Sequence, residues 1–297
     1  MQIIESYQVT EAEMQSSNVA LGDYPNWNSG TTYANSERVV VGNKIYQSVQ
    51  AANDDHPPAT SPLWWVEVGA VNRWRAFDDS LSAMTTNLED IRYDLRFPRT
   101  LNAVAMFGLN ASEVQIYLVD TATSDRIYDR TFSLVTSEDV YDAWTYFFNP
   151  LEYKTSLVVT DLPLWANTEL RIRIRAPGTE AMVSEIICGI NHLVGETLDG
   201  TEIGLIDYSY KERDEFGNLK VKERGYSQKV NYQFIFTTED GRRIRDLMTR
   251  IRTKVAVYHA GRENDKFGVT IPGFYKDFNV PLTTEVSYGS LEVESLI

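Results

Sequence analysis

The segment Leu170-Arg171-Ile172-Arg173-Ile174-Arg175 alternates apolar and cationic side chains with a period of two. Only an extended chain sends successive side chains to opposite faces, so this must be a strand with one dry and one wet face. Ile91-Arg92-Tyr93-Asp94-Leu95-Arg96-Phe97 repeats the pattern, and residues 114–119 are a further strand candidate. Between about residues 71 and 200 such strands follow one another, parted by turn residues, with no helical pattern between them. That spacing predicts an antiparallel β-sandwich, with Pro177-Gly178 as the turn that ends the arginine-bearing strand. Aromatic residues make up 12% of the chain, and rings pack well on pleated sheets, so the predicted class is mainly β.

Texture divides the 297 residues into an N-terminal stretch, 1–24, and three further segments. Residues 25–70 are rich in Trp, Tyr, Asn and Pro. There Val39-Val40-Val41 and Ile45-Tyr46-Gln47-Ser48-Val49 flank Gly42-Asn43-Lys44, the signature of a tight hairpin. Residues 71–200 are the predicted sandwich. Residues 201–297 change character: a charged hairpin turns at Gly217-Asn218, a strand spans 230–236, and 255–258 is another strand. Between these two strands lies the one convincing helix, about 239–253, with Thr237 or Thr238 as its cap. Its Ile244, Leu247, Met248 and Ile251 form one apolar stripe. This third segment is predicted to be an α+β domain.

A net charge of −14 and an isoelectric point near 4.7 repel phosphate backbones and anionic lipid, which argues against nucleic-acid or membrane-surface partners. No stretch approaches 18 apolar residues, so no membrane insertion is expected. The first residues lack the basic and apolar runs of a signal peptide, which predicts synthesis in the cytoplasm. Cys188 is the single cysteine and sits in the apolar run Ile186-Ile187-Cys188-Gly189-Ile190, which reads as a buried, inert thiol. His56, His192 and His259 are too far apart for a local zinc spacing, and no metal or cofactor is expected. Nucleotide-binding glycine loops and the GxSxG elbow are missing. Acidic pairs such as Asp54-Asp55, Asp78-Asp79 and Glu138-Asp139 are common in a chain with 42 acids and read as solvated turns. No catalytic residue is predicted. Arg171, Arg173 and Arg175 read as the solvent face of an edge or outer strand.

The aromatics of the second segment are the candidate ligand groups. Trp27, Tyr33, Tyr46, Trp64 and Trp65 cluster around one short hairpin, and flat rings are suited to stacking on sugar faces. So small a module also needs rings for its own core, a reading that suits Trp27, Tyr46 and Trp65. Trp64 must point away from Trp65 in an extended chain, which leaves one of the pair facing solvent.

Trp27-Asn28-Ser29-Gly30-Thr31-Thr32-Tyr33, the hairpin at 39–46, Pro57 and Trp65-Val66-Glu67-Val68 together resemble the small chitin/cellulose-binding module of the family 5/12 type. That family places exposed aromatics after the GxxY strand. Here Gln50-Ala51-Ala52-Asn53 stand there, which leaves Trp64 and Tyr33 as the sugar-facing candidates, with Trp27 and Tyr46 behind them. Next, Val71-Asn72-Arg73-Trp74-Arg75-Ala76-Phe77-Asp78 directly follows the exit Trp65-Val66-Glu67-Val68-Gly69. This arrangement resembles tail-tip and baseplate proteins of tailed bacteriophages, in which such a module precedes a galactose-binding-like jelly roll. Phe107-Gly108-Leu109 and Glu185-Ile186-Ile187-Cys188-Gly189 fit the jelly-roll frame, and residues 201–297 look similar to a ring-forming tail-assembly domain. The resemblance implies a virion structural protein that is no enzyme. Its expected partners are other phage tail proteins, copies of itself in a symmetric ring, and a host-surface glycan. Its expected assembly contacts are Ile244, Leu247, Met248, Ile251 and Phe216. The rival reading is a secreted carbohydrate-targeting accessory protein or a glycan-active enzyme.

Overall fold

In the computed structural model, which describes residues 1–136, 144, 152–213, 215–261, 269–281 and 283–297, the protein is mainly β. Its named strands pair antiparallel throughout. A five-stranded sheet runs in the order Met14–Ser17, Thr85–Arg96, Thr168–Val183, Glu113–Asp120 and Arg126–Ser133. Leu170, Ile172 and Ile174 turn inward, as their alternation requires. They share one core with Ile91, Tyr93 and Leu95 and with Val104, Met106, Ile186 and Cys188 of the facing sheet.

Two expectations change here. The arginine-bearing strand is central, paired with Thr85–Arg96 on one side and Glu113–Asp120 on the other. Nor does it end at Pro177-Gly178. The register slips between Arg175 and Glu180 and the strand resumes, so these residues form a bulge. Pro177 has no N–H to give a ladder, and Gly178 takes a φ of 76°, which suits a bulge as well as a turn.

The facing sheet is larger. Ser156–Val159, Ala103–Phe107, Glu185–Leu193, Gln2–Tyr7, Ala256–His259, Ile271–Asn279, Val286–Ser295 and Tyr226–Thr237 follow in order, with Glu196–Thr197 and Glu202–Asp207 both pairing with the last. Ala103–Phe107 is buried on both faces. Val104 and Met106 enter the sandwich core, while Ala103, Ala105 and Phe107 join Ile187, Ile4, Val255 and Val257 in a second cluster. The N-terminal residues are thus part of the frame: Gln2–Tyr7 lies between a strand of the sandwich and a strand of the C-terminal segment. Its Ile3 and Ile4 plug two different cores. One continuous sheet therefore crosses from the 71–200 segment to the 201–297 segment.

The helix α1, Gly241–Ile251, forms within the expected range, after a 3₁₀ turn at Thr238–Asp240. Asp240, not a threonine, occupies the cap position and makes no capping bond. Thr237 Oγ1 donates to its carboxylate at 2.9 Å, and Arg243 pairs with it at 3.0 Å.

The stripe Ile244, Leu247, Met248 and Ile251 is buried within the protein, against Tyr232, Phe234, Tyr258 and Val293. This corrects the expectation that these four residues make assembly contacts. A one-faced helix beside an apolar sheet buries its stripe at once, since that removes the most apolar surface from water. Leu247→Ala should therefore cost about 2–5 kcal/mol by creating a cavity. The check is urea unfolding together with oligomeric mass below the transition. The expected result is a lower midpoint at unchanged mass; lost association at unchanged stability would put the helix back at an interface.

Candidate functional site

The small module is the three-stranded sheet Arg38–Val41, Lys44–Ser48 and Trp65–Ala70. Its first hairpin pairs Val41 with Lys44, so Gly42 and Asn43 make the two-residue turn, with Gly42 at a φ of 61°. Three strands this short bury little backbone-anchored surface, and aromatic rings make up the difference. Tyr33, Val39, Tyr46 and Trp65 form the core, with Trp27, Val41 and Trp64 packed around it. Tyr33 meets Trp65 edge to face at 5.2 Å between ring centroids.

Hydrogen bonds lock these rings. Trp65 Nε1 donates to the His56 carbonyl at 2.8 Å. The Tyr33 hydroxyl accepts from the Asn28 N–H at 2.7 Å and donates to the Asn28 carbonyl at 3.2 Å. Of the candidate sugar contacts, Tyr33 and Tyr46 are therefore internal, which corrects the expectation that Tyr33 faces outward. A phenol whose hydroxyl has two backbone partners gains more inside than on a wet face.

Trp27 and Trp64 are half-buried and reach the surface. Trp64 stacks on His56 at 4.0 Å with 18° between the rings. The apolar side chains of Val49, Leu63, Val66 and Val68 in the same module are exposed. The Val49 N–H donates to the Trp64 carbonyl at 2.9 Å, and Gln50 Nε2 to the Leu63 carbonyl at 2.8 Å, which joins the two loops. The module thus offers two partly covered indoles and a few aliphatic side chains, suited to a shallow contact with an apolar sugar face.

The second candidate surface belongs to the charged hairpin. Tyr210–Arg213 pairs with Leu219–Lys222 across a turn in which Gly217 adopts a φ of 84°. Every residue of both strands is exposed. Phe216, at the tip, is 88% exposed, and Leu205, Tyr210, Leu219, Val221 and Tyr226 also show large apolar surfaces. Lys211 pairs with Asp207, at the end of the strand Glu202–Asp207, at 2.6 Å.

The remaining singled-out residues are structural. Each arginine of the alternating strand has a carboxylate: Arg171 with Glu169 at 2.5 Å, Arg173 with Asp94 at 3.0 Å and Arg175 with Glu113 at 2.7 Å. Arg126, Arg171 and Arg173 also gather around the Tyr117 ring. Cys188 is buried, and burial pushes its thiol pKa up, away from reactivity. His192 Nε2 donates to the Glu5 carboxylate at 3.2 Å, and Glu5 pairs with Arg250 at 2.9 Å. Burial holds the His192 pKa below its ordinary value. Asp54 and Asp55 are exposed, whereas Glu138 and Asp139 lie outside the described residues. Among the described residues no helix is long and apolar enough to cross a membrane.

Sequence reasoning missed Glu185. It heads an apolar run and is buried, and a carboxylate opening such a run was the one available signal.

No protein-family model matches this chain, and neither does any curated protein. Among solved structures it is similar to the crystal structure of the F5/8 type C domain of a protein from Bacteroides fragilis. The identity is 13% and the TM-score 0.29, over 41% of this chain and 82% of that domain.

Proposed function

We propose that this protein is a structural, non-catalytic component of a phage tail tip or baseplate. The C-terminal third docks it onto copies of itself in a ring and onto other tail proteins. The sandwich and the small aromatic module project toward the host surface, where the Trp64 face makes weak glycan contacts that many copies multiply. In this reading the protein is made in the host cytoplasm and ends in the virion.

The observation that supports this most is the hairpin around Gly217. A two-stranded hairpin is marginal in water on its own, and exposed apolar side chains on both its strands are a liability for a monomer. A neighbouring subunit that covers Leu219, Val221 and Phe216 supplies what the hairpin lacks. Its Lys220, Lys222 and Arg224 stand among Glu212, Glu215 and Glu223, so the hairpin offers both signs of charge to a neighbouring copy.

The test is the mass of the full chain by light scattering, for the native protein and for Leu219→Asp combined with Val221→Asp. The native protein is expected to be a multimer and the double variant a monomer with unchanged circular dichroism. A native protein that stays monomeric at about 100 μM, well above the range of specific interfaces, would sink the ring. Release of reducing ends from chitin, cellulose or bacterial polysaccharide would favour the secreted-enzyme reading instead.

A further inference from the structure

The strand Glu202–Asp207 pairs with Tyr226–Thr237 on one side, and no strand among the described residues pairs with its other side. The Tyr208 N–H donates to the Gly225 carbonyl at 3.2 Å, one step beyond the pair Asp207 and Tyr226. An antiparallel ladder bonds alternate pairs, so Ile206, Gly204 and Glu202 turn their backbone groups to Tyr226–Thr237. The Gln228 N–H agrees with this alternation, since it points the opposite way and donates to Ser295 Oγ at 2.9 Å. The N–H and C=O groups of Ile203, Leu205 and Asp207 therefore face away from the sheet along an open edge.

An open edge is a template for another strand, and proteins blunt such edges with bulges, charges or short length. The five-stranded sheet shows those protections. Met14–Ser17 has four residues and a break in register, and Arg126–Ser133 carries Arg126, Asp129 and Arg130. Glu202–Asp207 differs: its register is unbroken, it holds no proline and no cation, and its acids stand only at the two ends. Ile203 and Leu205 are exposed along it. Ile203 stands opposite Val230, which shares a core with α1, so both side chains extend the sheet face that α1 covers.

We propose that this edge receives the strand Leu219–Lys222 of a second copy of the chain, which joins the sheet antiparallel. The proposal rests on the assembly reading and names the surface that takes the hairpin. One register suits every side chain of the incoming strand. Leu219 meets Leu205 and Val221 meets Ile203, four apolar side chains that are exposed in the single chain. Lys222 meets Glu202, whereas across its own hairpin it faces the uncharged Tyr210. Lys220 meets Gly204, and Glu212 of its own hairpin supplies its opposite charge. A parallel alignment that keeps the apolar pairs sets Lys222 beside Ile206 and Glu202 beside Asn218, so antiparallel pairing fits the charges better. The strand given and the edge that receives it are different surfaces. Each copy therefore uses both, in a heterologous contact that makes a ring when the rotation closes.

Light scattering of the full chain at about 100 μM tests the proposal. Leu205→Pro removes an outward N–H and leaves the bonds to Tyr226–Thr237 in place, so a monomer with unchanged circular dichroism is expected. That variant keeps its hairpin, and the variant with Leu219→Asp and Val221→Asp keeps its edge. An equimolar mixture of the two should give a one-to-one pair and nothing larger. Glu202→Lys changes an exposed side chain and checks the register. Alone it should weaken assembly about tenfold or more at low salt, and adding Lys222→Glu to it should restore assembly. This second pair of variants carries the test if Leu205→Pro does not fold. Native protein that assembles, with Leu205→Pro and Glu202→Lys assembling as well as it does, would overturn the proposal and leave the assembly reading standing. A mixture that stays monomeric would mean that another surface takes the hairpin and would overturn it too. A monomeric native protein would overturn both.

Discussion

Gly189→Ala should destabilise the protein by about 3 kcal/mol or more, at the upper end of what overpacking costs. Gly189 stands opposite Ser6 in the ladder between Glu185–Leu193 and Gln2–Tyr7. A Cβ there would lie 1.9 Å from the Glu5 carbonyl oxygen and 3.3 Å from the Ser6 Cα. Both are backbone atoms, so no side chain can swing away; the whole N-terminal strand has to move.

That strand is held on its far edge by Ala256–His259, and its Ile3 and Ile4 are seated in two cores, so movement costs packing on both sides of the molecule. Gly204→Ala is the control. It lies in the exposed strand Glu202–Asp207, where a Cβ meets nothing nearer than 3.9 Å, and the expected change is within about 0.5 kcal/mol. Urea midpoints of the two variants decide the matter. If both match the native protein, the N-terminal strand is not the joint between the sandwich and the C-terminal segment.

Glu185→Gln should stabilise the protein at alkaline pH and leave it nearly unchanged near pH 4. Burial, and then the charges of Asp79 and Asp78, push the Glu185 pKa up to about 10 from its ordinary 4.5. A carboxyl raised in the folded state keeps its proton there while the unfolded chain loses its own. The favourable contribution is complete below the unfolded value of 4.5 and is lost as pH climbs toward 10. Asp78, raised to about 6 chiefly by burial, adds the same slope over a lower window. His192 and His259 work the other way. Burial depresses His259 to about 4, so the protonated unfolded state opposes folding as pH falls through the ordinary histidine range.

Comparing native and Glu185→Gln proteins at each pH cancels those other groups and isolates one carboxyl. At about 1.4 kcal/mol per unit of separation, the difference at pH 8 is bounded at about 5 kcal/mol, and relaxation around the carboxyl brings the expected value to about 2 kcal/mol. The measurement is the urea midpoint of each protein from pH 4 to pH 9. A difference that does not grow with pH would mean that Glu185 is ionised in the folded protein.

Most features that depend on neighbours in sequence were legible, though Pro177-Gly178 made a bulge where a turn was expected and Asp240 took the cap expected of a threonine. The alternation from Leu170 to Arg175 put the right side chains inside, and the Gly42-Asn43 and Gly217-Asn218 turns formed where their backbone freedom allows. The apolar stripe marked α1 within two residues at either end. The aromatic cluster of the small module was legible as a cluster, but not as an inside and an outside. Tyr33 and Trp64 have similar appetites for burial, and the Asn28 backbone, in reach only after folding, took the Tyr33 hydroxyl.

Local pattern settled that this chain makes antiparallel strands with defined dry faces, and a helix at Gly241–Ile251 with a single apolar side, because side-chain direction repeats every two or 3.6 residues whatever the rest of the chain does. Contact between distant segments decided the rest: that the helix buries its stripe against its own sheet, that Gln2–Tyr7 joins two halves, and that Glu185 stands against Asp78 and Asp79. Burial and electrostatic fields depend on which atoms arrive from far along the chain, and no period in the sequence encodes that arrival.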